Sequence, residues 1–223
     1  MPQTLQFTLD FLEDLRFNNN KTWFDENRQR YDQARGYFES VIADVIQHFA
    51  PVDDVGTTTA KDCIFRINRD VRFSKDKTPY KSNFGALIGK GGRKTSGRSY
   101  YINLEPGGSF IAGGVYAPLP EHLKQIRAAI DTDQGKKLTA IINHRDFKQY
   151  FGVMQGEALK TTPKGYAADH PAIDLLKQKQ LMAIHKLDDA DVLQDDFTAH
   201  IINVCTALKP FERYFNDITG QSL

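Results

Sequence analysis

Between Ile64 and Gly85 the chain reads IFRINRDVRFSKDKTPYKSNFG, its densest run of charge and aromatic rings. Arg66, Asn68, Asp70 and Arg72 alternate with the apolar Phe65, Ile67, Val71 and Phe73. That spacing predicts a strand over Ile64–Phe73 with the polar residues on one face, Arg69 marking a bulge or strand end. Lys75, Lys77, Tyr80 and Lys81 follow in a turn-rich connection containing Pro79. A second alternation sets Tyr101, Asn103 and Glu105 against Tyr100, Ile102 and Leu104. If the two polar faces coincide, guanidinium forks and ammonium groups meet amide, phenol and carboxylate groups. Such a set suits a phosphate or carboxylate, because charge-assisted and bidentate hydrogen bonds are the strong ones.

The expected ligand-binding patch is Arg66, Asn68, Arg72, Lys75, Tyr80, Lys81, Tyr101 and Asn103. Arg66 and Arg72 would make bidentate contacts, and Lys75 and Lys81 would add point charge. Tyr80 and Tyr101 would stack or donate hydroxyls, and Asn103 with Glu105 would orient the ligand or the arginines. Asp70 and Glu105 are candidate catalytic carboxylates, for acid–base work or a divalent cation. The competing account is that each neutralises a neighbouring arginine on a solvated face, where ion pairs contribute little.

Other motifs fail on their own terms. A phosphate-binding loop needs G-x-x-x-x-G-K-[ST] leading into a helix. The stretch GKGGRKTSGR has Arg93 where the second glycine belongs, and a strand follows it. It reads as a mobile basic hairpin. His144-Arg145-Asp146 matches a kinase catalytic triplet without the accompanying motifs. The six histidines are scattered, with no His-x-x-x-His or Cys-x-x-Cys pair. No metal centre and no cofactor are expected. No G-x-S-x-G elbow is present.

Hydrophobic residues make up 40% of the 223 and charged ones 26%, as in ordinary globular proteins. The net charge of +1 hides an asymmetry: residues 61–98 carry eleven Lys/Arg against three Asp/Glu, and the rest of the chain eighteen against twenty-five. Cys63 and Cys205 sit among apolar neighbours and read as buried free thiols. With no leader and no long apolar run, a cytoplasmic protein that does not enter the membrane is expected.

The elements that must position these residues follow from periodicity. Leu5, Leu9, Leu12 and Leu15 predict a helix over Leu5–Phe17. Asn20 caps a long helix, Lys21–Phe49, with Trp23, Tyr31, Ala34, Phe38, Val41, Val45 and Phe49 inward. Strands are expected at Phe84–Ile88, Ser99–Glu105, Phe110–Tyr116 and Leu181–Leu187. Glu105-Pro106-Gly107-Gly108 has the order of a type II turn. Gly113 and Gly114 inside a strand imply close approach by another segment, or a bulge. Helices are expected at Pro120–Ile130, Gln134–Ile142, Arg145–Tyr150 and Ala172–Lys179. A last one from Asp195 should be kinked or divided by Pro210. Clustered strands between terminal helices mean α+β: a mainly antiparallel sheet of about four to five strands, packed by N-terminal and C-terminal helices, in a single domain over residues 1–223.

FRINRDVRFSKDKTPYKSNFG, with YYINLEPGGSFIAGGVYAP, LKQIRAAID and DHPAIDLLKQK, resembles domain of unknown function family 2461, conserved hypothetical proteins of bacteria and fungi. The resemblance covers nearly the whole chain. It implies one domain and brings no activity, substrate or catalytic residue. The residues themselves favour a phosphorylated small molecule as ligand. The alternatives are a hydrolase or transferase acting on such a molecule, a nucleic-acid-binding protein, and a module that meets an acidic protein.

Overall fold

A computed structural model describes residues 2–95, 97 and 99–220. Four helices open the chain: α1 (Pro2–Phe17), α2 (Lys21–Glu26), α3 (Arg28–Phe49) and α4 (Ala60–Cys63). Strands β1 (Phe84–Ile88), β2 (Tyr100–Leu104) and β3 (Ser109–Val115) follow. Next come α5 (Pro120–Thr132), α6 (Lys136–Ile142), α7 (Arg145–Phe151) and α8 (Ile173–Leu176). Strand β4 (Leu181–Leu187) precedes α9 (Asp189–Val192) and α10 (Phe197–Thr219). The strands form one antiparallel sheet in the order β1-β2-β3-β4. The class is α+β, as the clustering of strands between terminal helices predicts.

The chain forms two compact units. The first comprises Met1–Lys94, Tyr101–Ile111 and Lys186–Asn203. Within it α1 packs on α3, and α3 on β1 and α4. Leu5, Leu9, Leu12 and Leu15 of α1 are buried with Phe11, and so are Tyr31, Ala34, Phe38, Val41, Val45 and Phe49 of α3. These are the residues their helical spacing puts on one face, except that Trp23, also expected inward, is half-buried. The expected single helix over Lys21–Phe49 is broken at Asn27. Asn20 does cap its first part, accepting from the Trp23 N–H at 3.0 Å. Asn27 then turns its side chain back to the Trp23 carbonyl at 2.9 Å, a local bond that competes with the helix.

The second unit comprises Thr95–Tyr100, Ala112–His185 and Val204–Leu223. In it α5 packs on α6 and α8, and α6 on α7. Gly113 and Gly114 are the close approach their place in a strand implies. A Cβ on Gly113 would lie 2.6 Å from a Leu208 methyl, and one on Gly114 2.2 Å from the Leu181 carbonyl oxygen. The Gly114 N–H donates to the Glu212 carboxylate. Pro210 lies inside α10, so of the two expected outcomes, a kink or a division, the division does not occur.

Cys63 and Cys205 are both free and buried. Burial pushes the Cys63 thiol up to about 11, and the Cys205 thiol up as well. The turn after β2 closes as expected, Gly108 N–H donating to the Glu105 carbonyl at 2.9 Å. In the Gly-rich loop, Gly92–Lys94 makes one 3-10 turn. Ser96 and Arg98 lie outside the described residues. No helix among the described residues is long and apolar enough to cross a membrane.

One expectation fails outright. Ile64–Phe73 is not a strand: only two isolated antiparallel bridges form, Ile64 with Ala86 and Asn68 with Tyr80. Of its apolar side, Ile67 is buried, Phe65 and Val71 are half-buried, and Phe73 is 96% exposed.

Candidate functional site

The two bridges fix how the motif folds. The Phe65 N–H donates to the Gly85 carbonyl, Lys81 N–H to Ile67 and Arg69 N–H to Pro79, each at 2.9 Å. Residues 64–69 therefore run antiparallel to 79–86, and residues 70–78 form the turn-out between them. That turn-out is held by its own side chains. The Arg69 guanidinium donates to the Asp76 carboxylate and the Thr78 hydroxyl. Asp76 also accepts from the Thr78 N–H and hydroxyl, both at 2.9 Å. These bonds bring the Asp76 carboxyl down to about 2, the arginine contributing most. Asp70 accepts from Arg72 Nε at 2.9 Å and Nη2 at 2.6 Å, so the Arg72 fork is engaged by a neighbouring carboxylate. Lys77 donates to the Val71 carbonyl at 2.9 Å.

Beside this hairpin lies an open cavity of about 390 Å³, walled by Arg16, Asn19, Arg69, Asp76, Thr78 and the run Tyr80–Asn83. Asn19, from the α1–α2 junction, fixes one wall. It accepts from the Tyr80 N–H at 3.0 Å and donates to the Tyr80 carbonyl at 2.9 Å. The Tyr80 ring stacks on Phe24 with centroids 4.0 Å apart, which makes it core. Lys81 projects from the next position. Its ammonium stands 5.6 Å from the Phe65 ring centroid. Burial lowers its pKa, and the nearby Arg66 charge lowers it further. No carboxylate or carbonyl among the described residues accepts from it.

Behind Ser82 and Asn83 a hydrogen-bonded chain runs through the β2 side of the unit. Asn83 donates to Asn103 Oδ1 at 2.6 Å. Asn103, only 3% exposed, donates to Glu105 Oε2 at 3.4 Å and to the Gly108 carbonyl at 3.1 Å. Ser82 Oγ donates to Glu105 Oε1 at 3.3 Å, and Arg16 Nη2 reaches the same oxygen at 3.5 Å. Tyr101 extends the chain, its hydroxyl donating to Asn103 Oδ1 at 3.5 Å. Burial raises the Tyr101 pKa. Its ring crosses Gly85, where a Cβ would lie 2.4 Å from the tyrosine oxygen.

The residues expected to act together thus fall into three places. Tyr80 and Lys81 line the cavity, and the charge of Arg66 reaches Lys81. Tyr101, Asn103 and Glu105 stand behind the cavity wall in one chain of bonds. Asn68, Asp70, Arg72 and Lys75 are exposed on the hairpin, outside the wall, with Asp70 bound to Arg72. Sequence reasoning passed over Arg16, Asn19, Arg69, Asp76, Thr78, Ser82 and Asn83. Arg69 read as a bulge or strand end. Asp76, Thr78, Ser82 and Asn83 lie within the same motif, and its sheer density of polar residues was the one signal that reached them. His144, of the kinase-like triplet, caps α7 by accepting from the Asp146 N–H at 3.3 Å.

An α+β protein with a cation-lined polar cavity at a Phe-Arg-rich hairpin is the class that fold and geometry define. The chain belongs to the family described as conserved hypothetical protein DUF2461, whose model matches residues 7–214. No curated protein and no solved structure matches it.

Proposed function

We propose that this cavity binds a small anionic, phosphorylated ligand, with Lys81 as its central contact and Arg69 and Arg66 as supporting charges. One observation carries the reading. The Lys81 ammonium is half-buried in a polar wall, beside a second cation, with no acidic partner of its own. A partly desolvated charge is costly unless paired, and a phosphate supplies the missing partner. Arg69 keeps donors beyond those that Asp76 and Thr78 use, and the hairpin bonds hold it in place. The volume falls within the roughly 300–1,000 Å³ of small-ligand sites. Two free buried thiols support a cytoplasmic setting.

The hydrolase or transferase reading has less to stand on. Asp70 is engaged by Arg72, and Glu105 is shared among Arg16, Ser82 and Asn103.

Thermal denaturation with and without inorganic phosphate and phosphate monoesters tests the proposal. At a hundredfold excess over Kd, binding should raise Tm by about 5–10 °C. Lys81→Gln should fold with unchanged or slightly higher Tm and lose the ligand-induced rise. A Lys81→Gln protein that keeps the full rise would show that the anion sits elsewhere.

A further inference from the structure

The wall of the cavity divides its hydrogen-bonding capacity, and the division specifies more than an anion. The cations supply donors. Lys81 has three N–H groups without a protein acceptor, and Arg69 commits only Nη1, to Asp76 and Thr78, which leaves Nε and Nη2. The two residues that follow Lys81 supply acceptors. Ser82 spends its one proton on Glu105 Oε1 at 3.3 Å, so its oxygen has lone pairs to offer. Asn83 gives an amide donor to Asn103 at 2.6 Å and keeps Oδ1. An oxyanion gains nothing from Ser82 Oγ or Asn83 Oδ1, because both want a proton. A ligand hydroxyl provides one. The wall also lacks a stacking platform. Tyr80 carries its one ring among the described residues, is 7% exposed, and is stacked on Phe24.

We infer that the ligand is a polyhydroxylated phosphate monoester of the sugar phosphate class, its phosphate toward Lys81 and Arg69 and its hydroxyls toward Ser82 and Asn83. This rests on the anion-binding reading above and narrows it. Aromatic phosphates, nucleotides among them, are disfavoured because the ring has no face to meet and would cover acceptors that need protons.

Calorimetric titration of the whole chain in phosphate-free buffer with four probes separates the possibilities: inorganic phosphate, glucose 6-phosphate, phenyl phosphate and glucose. Glucose 6-phosphate should bind tighter than inorganic phosphate by about fivefold for each hydroxyl engaged. Phenyl phosphate should bind no tighter than inorganic phosphate, and glucose should not register. Ser82→Ala should narrow the ratio between glucose 6-phosphate and inorganic phosphate by about fivefold. Phenyl phosphate outbinding glucose 6-phosphate, equal affinity for glucose 6-phosphate and inorganic phosphate, or an unchanged ratio in Ser82→Ala would each overturn the sugar phosphate assignment and leave the anion site standing. Failure of every phosphate probe to bind would remove both.

Discussion

Asp76 shows how one carboxylate sets the position of a cation. It accepts from the Arg69 guanidinium, the Thr78 N–H and the Thr78 hydroxyl, and so ties the base of the hairpin to the cavity wall. These donors favour the charged form, which is why its carboxyl titrates at about 2 instead of the ordinary 3.8. A depressed folded-state pKa contributes stability that is fully present above the ordinary value and is lost as pH falls through the folded one. The contribution of the bond set to stability should therefore be full above about pH 4 and decline on the way to 2, while in the folded protein the bonds themselves are half lost only near pH 2. Thr78 reports it directly. In amide correlation spectra its N–H resonance should titrate with a midpoint near 2, and Asp76→Asn should abolish that step. A midpoint near 3.8 would mean that Arg69 is not held by Asp76 in solution. Asp70, with its pKa lowered chiefly by Arg72, makes the same kind of bond farther out on the hairpin. There the arginine is largely solvated, and the pair contributes little to holding the cavity.

Among the elements, regular packing was legible and the hairpin was not. Spacing located most of the buried stripe of α1 and α3, passing over Ile42 and including the half-buried Trp23, because a helix with one apolar face has few ways to bury it. Strand Phe84–Ile88 matches its expected bounds, and β2, β3 and β4 fall within a residue or so of theirs. Ile64–Phe73 alternates too, Arg69 apart, yet forms two bridges only. Asp70, Asp76, Thr78 and Lys77 bond to backbone or side chains within the hairpin, and such local bonds compete with a sheet ladder. Alternation describes which side each residue faces; it does not say whether a partner strand exists. The cavity was partly legible, through Tyr80 and Lys81. Arg16 and Asn19 come from the α1 end of the chain, and no local pattern links them to Tyr80. The twin glycines of β3 were legible because a strand interior has no other use for them. Gly114 has φ +102°, and a Cβ there would meet the Leu181 backbone oxygen, which cannot rotate away. Gly114→Ala should destabilise the protein by about 1–3 kcal/mol or more. Urea unfolding monitored by circular dichroism measures it, and a loss below about 0.5 kcal/mol would mean that the strand shifts to admit a methyl group.

At the scale of the whole molecule, the basic block is the feature that folding changes most. Eleven Lys/Arg in residues 61–98 stand in an otherwise acidic chain, and nucleic-acid binding is one of the alternatives they raise. In the folded unit many of these cations are already engaged. Arg69 is bound to Asp76 and Arg72 to Asp70. Lys61 lies 3.8 Å from Glu39 and Lys90 3.7 Å from Asp54. Lys77 donates to the Val71 carbonyl and Arg93 to the Ile64 carbonyl at 2.6 Å. Of the block's described cations outside these bonds, Arg66, Lys75, Lys81 and Lys94, only Lys81 lines the cavity and the charge of Arg66 reaches it; that pair matches one phosphate better than a phosphate backbone. Nucleic-acid affinity follows the number of phosphates neutralised: log K falls with log salt at a slope of about −0.9 per phosphate on duplex DNA. A block with all its cations free would give a slope near −10, whereas binding through Arg66 and Lys81 alone gives about −1 to −2. Retardation of single- or double-stranded oligonucleotides should therefore be undetectable at roughly 0.15 M salt, where surface charges are screened beyond about 8 Å. Binding of a small phosphate monoester should persist under the same conditions, since its partner Lys81 is half-buried and less screened. Retardation that survives 0.15 M salt with a steep slope would instead make the exposed hairpin, with Phe73 and Lys75 at its surface, the functional element, and the cavity a by-product of its fold.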